Sequence, residues 1–266
     1  MTDTLFDITD QVVLISGGSR GIGLELAAGF AERGAKVVIT GRGEASLAEA
    51  CDSIKTNPPT WVTCDVADAD AITACVAETV DRHGRIDTLI NCAGINKRMP
   101  ATDYTAAEFD QIIEINLRGA FLMSQAVGKQ MIKQGSGNQI NIDSLSTHGP
   151  LPQVVPYAMS KMGLQNMTRG LAMEWGKHGV RVNGLAPGFI LTDLTNKLWS
   201  DPKMRAWNDA VVPLRRMGEV EDLVGTAVFL ASPAASFLTG QTIRVDGGAS
   251  AGLNWPIAGD FETVWT

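Results

Sequence analysis

Seven short apolar runs punctuate the chain at long intervals: VVLIS (12–16), KVVIT (36–40), WVTC (61–64), DTLIN (87–91), NQINID (138–143), VRVNGLA (180–186) and QTIRV (241–245). A near-continuous apolar run of this length reads as a strand covered on both faces, as strands of a parallel sheet are. The intervals carry helical patterning through about Arg33, from Glu44 to about Lys55, from about Asp70 to Arg82, in two stretches over 105–133, from about Val155 to Lys177, and over 219–231. Parallel strands joined by helices take right-handed crossovers. The expected fold is therefore α/β: one Rossmann-like, doubly wound domain over 1–266, with a central parallel sheet of about seven strands and helices on both faces. The stretch 192–212 is polar and helical in parts and is expected to form a lid, with 249–266 as a C-terminal tail.

Composition removes several alternatives. The formal net charge of −7 and a pI near 5.0 argue against a broad basic surface, so neither nucleic acid nor an anionic membrane is an expected partner. No apolar run approaches the roughly 18 residues of a membrane span, and the opening MTDTLFDITD lacks the basic region of a secretory signal. Cys51, Cys64, Cys75 and Cys92 show no metal-binding spacing, and His83, His148 and His178 do not cluster. Reduced thiols, a cytoplasmic location and no catalytic metal are expected.

Chemistry first shows in SGGSRGIG (16–23), placed between the first strand and the first helix. Gly17, Gly21 and Gly23 allow a tight turn and the close approach of a pyrophosphate to a helix N-terminus. NAD sites carry a carboxylate about 20 residues further on. Here the second strand ends VVITGR, with Gly41 and Arg42 in that place, and Arg20 lies inside the turn. Two guanidiniums and no carboxylate suit a 2′-phosphate, so NADP(H) is favoured over NAD(H). Further on, VPYAMSKMG (155–163) sets Tyr157 and Lys161 one helical turn apart, on one face. Alone, that pair fits an ordinary amphipathic face or a phenol acid tuned by an ammonium.

Taken with four further segments, these motifs resemble the short-chain dehydrogenase/reductase family over nearly the whole chain. The segments are NCAG (91–94), INLRG (115–119), NIDSLS (141–146) and NGLAPGFILT (183–192), and VDGG (245–248) closes the last strand. Ser144 stands thirteen residues before Tyr157, the family spacing. The resemblance implies alcohol–ketone oxidoreduction by hydride transfer, with Asn116, Ser144, Tyr157 and Lys161 as the catalytic set. Tyr157 would move the proton, Lys161 would tune it and hold the nicotinamide ribose, Ser144 would bind the substrate oxygen, and Asn116 would hold a water leading from Lys161. It further implies cofactor contacts at Gly17, Ser19, Arg20, Gly21, Ile22, Gly23, Arg42, Asp65, Val66, Asn91, Ala93, Gly94, Tyr157, Lys161, Pro187, Gly188, Ile190 and Thr192. A homotetramer is implied as well, with a homodimer as the alternative.

Three positions depart from the pattern: Ser16 for threonine, Cys92 for the second asparagine of NNAG, and Asp143 where serine is common. Adjacent strand residues face opposite ways, so Asp143 is expected to point away from the substrate and make a structural bond; the alternative is that it adds negative charge near the site. Lys97 and Arg98 resemble the basic pair of gluconate 5-dehydrogenase and 2-deoxygluconate 3-dehydrogenase relatives, which implies a sugar acid or polyol substrate. Ser146, Gln153 and Trp199 complete the candidate substrate contacts, with Trp207 and the terminal LNWPIAG as further lining. A 3-oxoacyl-carrier-protein reductase, a reductase of a small cyclic or hydrophobic ketone, and a non-catalytic dinucleotide sensor remain as other readings.

Overall fold

The computed structural model describes residues 4–252. Seven parallel strands lie in the order β3-β2-β1-β4-β5-β6-β7: β1 Val12–Ser16, β2 Lys36–Gly41, β3 Thr60–Thr63, β4 Thr88–Asn91, β5 Gly137–Ile142, β6 Val180–Pro187 and β7 Thr242–Val245. All seven match the apolar runs to within two residues at either end. Strand order reverses between β1 and β4, and the crevice beyond the carboxyl ends at such a point is where an open α/β sheet binds its ligand. Ser16 there pairs in register with Thr40 of β2 and Asn91 of β4.

Side-chain alternation along each strand splits the core into two layers. Ile15 and Ile90 pack with Leu26 and Phe30 of α1 (Gly21–Ala31), Leu47 of α2 (Glu44–Ser53) and Val228 of α9 (Val224–Ala231). Leu14 and Leu89 face the other way, against Ile72 of α3 (Ala69–His83), Val127 of α5 (Ala120–Gln134) and Leu171 of α6 (Val155–Trp175). The helix ends follow local chemistry. Asp68 accepts hydrogen bonds from Asp70 N and Ala71 N to start α3, and Gly84 at φ 79° stops it. Thr105 and Glu108 form a capping box that starts α4 (Ala106–Ile113).

Over 105–133 the structure adds what periodicity does not reveal. A π-helical turn, Glu114–Gly119, joins α4 to α5 without a break. Its Gly119 abuts the turn after β3: a methyl there would lie 2.5 Å from Val66 O. Such turns recur at functional sites, and this one carries Asn116. The expected lid is two short helices, α7 (Asp193–Trp199) and α8 (Pro202–Val211). Phe189 sits between them, with ring centroids 5.4 Å from Trp199 and 5.2 Å from Trp207. The terminal segment 253–266, expected to line the pocket, lies outside the described residues, and no described helix is long and apolar enough to cross a membrane.

Candidate active site

A groove of about 360 Å³ opens beyond β1 and β4, and Gly17, Ser19, Arg20, Gly21, Ile22, Gly23, Arg42, Asp65, Val66, Ala93, Gly94 and Thr192 of the expected cofactor contacts line it. Its floor is the glycine turn. A methyl at Gly23 would lie 2.2 Å from Gly17 O, so helix and turn meet at backbone distance. Gly21 is in the left-handed region at φ +54°, and a methyl there would meet nothing closer than Thr192 at 3.8 Å. No side chain caps α1, leaving its first amides turned toward the groove. An uncapped helix start with glycines on the approach fits a pyrophosphate, and the groove therefore fits a dinucleotide.

Asn91 does not line that groove. Its amide donates to Ser124 Oγ (2.8 Å) and Asn141 Oδ1 (2.9 Å), tying β4 to β5 and α5 inside the core. The serine in place of threonine at position 16 keeps its use: Ser16 Oγ accepts from Cys92 N (3.2 Å) and Ala93 N (3.3 Å) and fixes the NCAG turn. Burial pushes the Cys92 thiol up to about 11, so it stays protonated and inert near neutral pH.

A second cavity, of about 560 Å³, continues from the groove and shares Ile22, Cys92, Gly94, Ile95, Asn96 and Thr192 with it. Ser144, Tyr157 and Lys161 all line it, as do Pro187, Gly188 and Ile190. The expected catalytic side chains thus sit where the groove meets the second cavity. Lys161 is 5% exposed, its Nζ donates to Ile142 O at 2.7 Å, and it stands 5.7 Å from the centre of the Tyr157 ring. The i, i+4 spacing on α6 does bring ammonium and phenol together. Ser144 Oγ accepts from Ser146 N at 3.1 Å, leaving its own proton to donate.

Asn116 is held by Ile95: Oδ1 accepts from Ile95 N (2.8 Å) while Nδ2 donates to Ile95 O (2.9 Å) and to Ser160 Oγ (3.1 Å). The π turn aims this amide at the loop after β4, and a methyl at Gly94 would lie 3.4 Å from Asn116 Oδ1 and 3.9 Å from Lys161 Nζ. Ser160 was not singled out by the sequence; its place directly before Lys161 is the only signal it carries.

Of the candidate substrate contacts, Arg98, Ser146, Gln153 and Trp199 line the cavity. Lys97 does not. Its ammonium pairs with Glu108 at the start of α4, a pairing that holds the Glu108 carboxyl down at about 2. The Tyr104 hydroxyl, which sequence reasoning passed over, bonds Lys97 O and also donates to Gln153 O at 3.2 Å. It straps together the two loops that form the cavity mouth. Gln153 itself is at φ 66°, an unusual place for a residue with a side chain. Leu151, Pro152, Phe189, Leu198, Met204 and Trp207 supply an apolar wall. Among the described residues, no group of His, Cys, Asp or Glu has the arrangement of a metal site.

Comparison with known proteins agrees with this geometry. A family profile described as enoyl-(acyl carrier protein) reductase matches residues 17–250. Gluconate 5-dehydrogenase of Gluconobacter oxydans is 40% identical over 254 residues, 94% of this chain and 98% of its own length. A 3-oxoacyl-[acyl-carrier-protein] reductase of Synechocystis is 38% identical over 91% of this chain and 97% of its own. The crystal structure of a gluconate 5-dehydrogenase from Burkholderia cenocepacia, in complex with NADP and tartrate, superposes with a TM-score of 0.91 at 36% identity, covering 94% of this chain and 99% of that one. With the motifs in order along the chain and the catalytic side chains gathered at one junction, this chain belongs to the short-chain dehydrogenase/reductase family and is an oxidoreductase of that family.

Proposed function

We propose that the protein interconverts a secondary alcohol and a ketone on a sugar acid or polyol of the gluconate type, using NADP(H) in preference to NAD(H). The observation that carries the substrate class is Arg98, a guanidinium on the wall of the same cavity as Ser144 and Tyr157. Arginine binds carboxylate through paired hydrogen bonds, and a sugar acid would set its carboxylate there with its carbinol carbon toward Tyr157. The related gluconate 5-dehydrogenases, one holding NADP and tartrate, support the reading.

Hydride chemistry belongs to the nicotinamide dinucleotide when it is bound; Arg20 and Arg42 would meet its 2′-phosphate, and the first amides of α1 its pyrophosphate. This chain's own work is proton handling and placement. Tyr157 gives its phenolic proton to the carbonyl oxygen in reduction and takes it back in oxidation. Ser144 donates a hydrogen bond to that oxygen as charge develops on it, a contribution of about 3 kcal/mol in comparable sites. Lys161, fixed by Ile142 O, keeps a positive charge beside the phenol. Trp199, Trp207 and Phe189 give the substrate an apolar wall.

Assembly as a homotetramer belongs to the same reading. Phe121 on α5 and Val155, Met159, Met162 and Met173 on α6 leave large apolar side chains exposed, the kind of surface that a second copy covers.

The deciding experiment follows nicotinamide absorbance with both dinucleotides across sugar acids, neutral polyols, cyclic alcohols and a β-hydroxyacyl thioester. The proposal expects the sugar acid to turn over best, with NADP, and Arg98→Ala to raise its KM about tenfold. Turnover of the thioester alone would move the chain to the acyl-reductase reading. Absence of turnover on every alcohol, with dinucleotide still bound, would make it a sensor.

A further inference from the structure

Asp143 follows β5 directly and separates two residues that touch the reaction centre. Ile142 before it gives its carbonyl to Lys161 Nζ at 2.7 Å, and Ser144 after it is the expected donor to the substrate oxygen. Its own N–H donates to Leu185 O at 2.7 Å, continuing the strand. Alternation turns its side chain to the α6 face, as it does Asn141, whose amide reaches Thr168 Oγ1 of α6. The residue is 2% exposed, and neither carboxyl oxygen makes a hydrogen bond of good geometry. What stands for the expected structural bond is the approach of the Thr242 hydroxyl and the Ser144 N–H to this carboxyl.

The groups facing this carboxyl are few. From α6 come the charges of Lys161 and Arg169, from β7 the Thr242 hydroxyl, and from the chain itself the Ser144 N–H. β6 presents backbone, through Leu185 O. Arg169 and Thr242 also line a polar cavity on the far side, together with His148 and Arg244, and there Arg244 Nη1 meets His148 Nδ1 at 2.8 Å.

We propose that Asp143 is a positioning residue of the active site, a buried carboxyl whose protonated and ionised forms give Lys161 two electrostatic settings. A buried carboxyl without a well-formed hydrogen bond is costly to keep, and a serine or an apolar side chain in its place would avoid that cost. This one lies between Ile142, whose carbonyl holds Lys161, and Ser144. Burial raises its proton affinity, carrying the carboxyl up to about 7, while Lys161, the Ser144 N–H, Thr242 and Arg169 pull the other way. Coupling of this kind is reciprocal: if the Lys161 charge favours ionised Asp143, ionised Asp143 steadies the Lys161 charge by an equal amount. Below neutrality the ammonium beside Tyr157 stands without a counter-charge; above it, one is present.

Carboxylic-acid infrared absorption, assigned by its loss in Asp143→Asn or, independently, in Asp143→Ser, reads this group without substrate. The protonated band is expected to vanish with a midpoint near pH 7. In Lys161→Met that midpoint should rise by about half a pH unit or more, and Lys161→Arg should leave it near the original. An unmoved midpoint in Lys161→Met, or no carboxyl titrating near neutrality, overturns the proposal. A second readout rests on the oxidoreductase reading above: the kcat/KM profile for alcohol oxidation should show a step near pH 7 that Asp143→Asn removes, which a purely structural role would not do. A step that persists in Asp143→Asn also overturns it. Absence of turnover with every alcohol would count against the proposed function, while the infrared midpoints decide Asp143 by themselves.

Discussion

The two halves of the cleft are built on different principles. On the groove side the floor is set by backbone meeting backbone, with the Arg20 and Arg42 side chains at the rim: a methyl at Gly23 would stand 2.2 Å from Gly17 O. On the substrate side the wall is made by side chains, with Phe189, Trp199 and Trp207 packed edge to face beside Arg98, Ser146 and Gln153. Backbone that abuts backbone admits one geometry, whereas side chains on loops and short helices can be exchanged without moving the sheet. The first side therefore reports the cofactor class, and the second reports which alcohol is taken.

That contrast can be broken at its junction or sharpened on either side. Tyr157→Phe should have the largest effect, lowering kcat by about 10²–10⁴-fold through loss of the proton carrier, while dinucleotide binding measured by fluorescence stays intact. Retained turnover would remove Tyr157 from the mechanism. Gly23→Ala comes next. The clash is with backbone that cannot yield, so thermal unfolding should show a loss of about 3 kcal/mol or more and dinucleotide affinity should fall with it. Trp199→Ala, which empties a site 3% exposed, should cost about 3 kcal/mol by the same assay. Unlike the glycine change, it should raise KM for the alcohol more than for the dinucleotide. If both changes weakened both ligands equally, the division drawn above would fail. Arg42→Ala is the smallest, with a loss of about tenfold in NADP-over-NAD preference measured as a ratio of kcat/KM.

The pH dependence of stability probes the junction from beneath. Asp143 has its carboxyl raised from 3.8 to about 7 by burial, so the folded state holds this proton more tightly than the unfolded chain. The stability so contributed is fully present below about pH 4 and is lost as pH rises toward 7, amounting to roughly 4 kcal/mol by linkage. Melting temperature against pH should fall across that window in the wild type and flatten in Asp143→Asn; parallel curves would show the carboxyl to be solvated.

Much of the fold was legible beforehand because its signals are local. Apolar runs and the glycine turn each act within a few residues, so strand positions and the groove beyond β1 could be read directly. The four candidate catalytic residues were assigned through the spacing of family motifs, and the structure brings Ser144, Tyr157 and Lys161 to one cavity. Side-chain partners across the fold were not. Lys97 looked like one of a basic pair, yet Glu108, eleven residues on and brought near by the loop, takes its charge. Asn91 stands in a motif beside the groove, but its amide turns inward to Ser124 and Asn141. The π turn that aims Asn116 was not read from periodicity, because its six residues are too few to establish a period of their own.

Sequence alone was enough for the α/β architecture, the glycine-lined groove and the choice of Ser144, Tyr157 and Lys161 as candidates, since all of these depend on residue order and short spacing. Tertiary structure decided that Arg98 and not Lys97 faces the cavity, that Tyr104 straps its mouth, and that Asp143 is enclosed beside Lys161 without a well-formed hydrogen bond. Those outcomes depend on which groups from distant segments compete for the same charge or the same buried space, and that competition exists only once the sheet has brought the segments together.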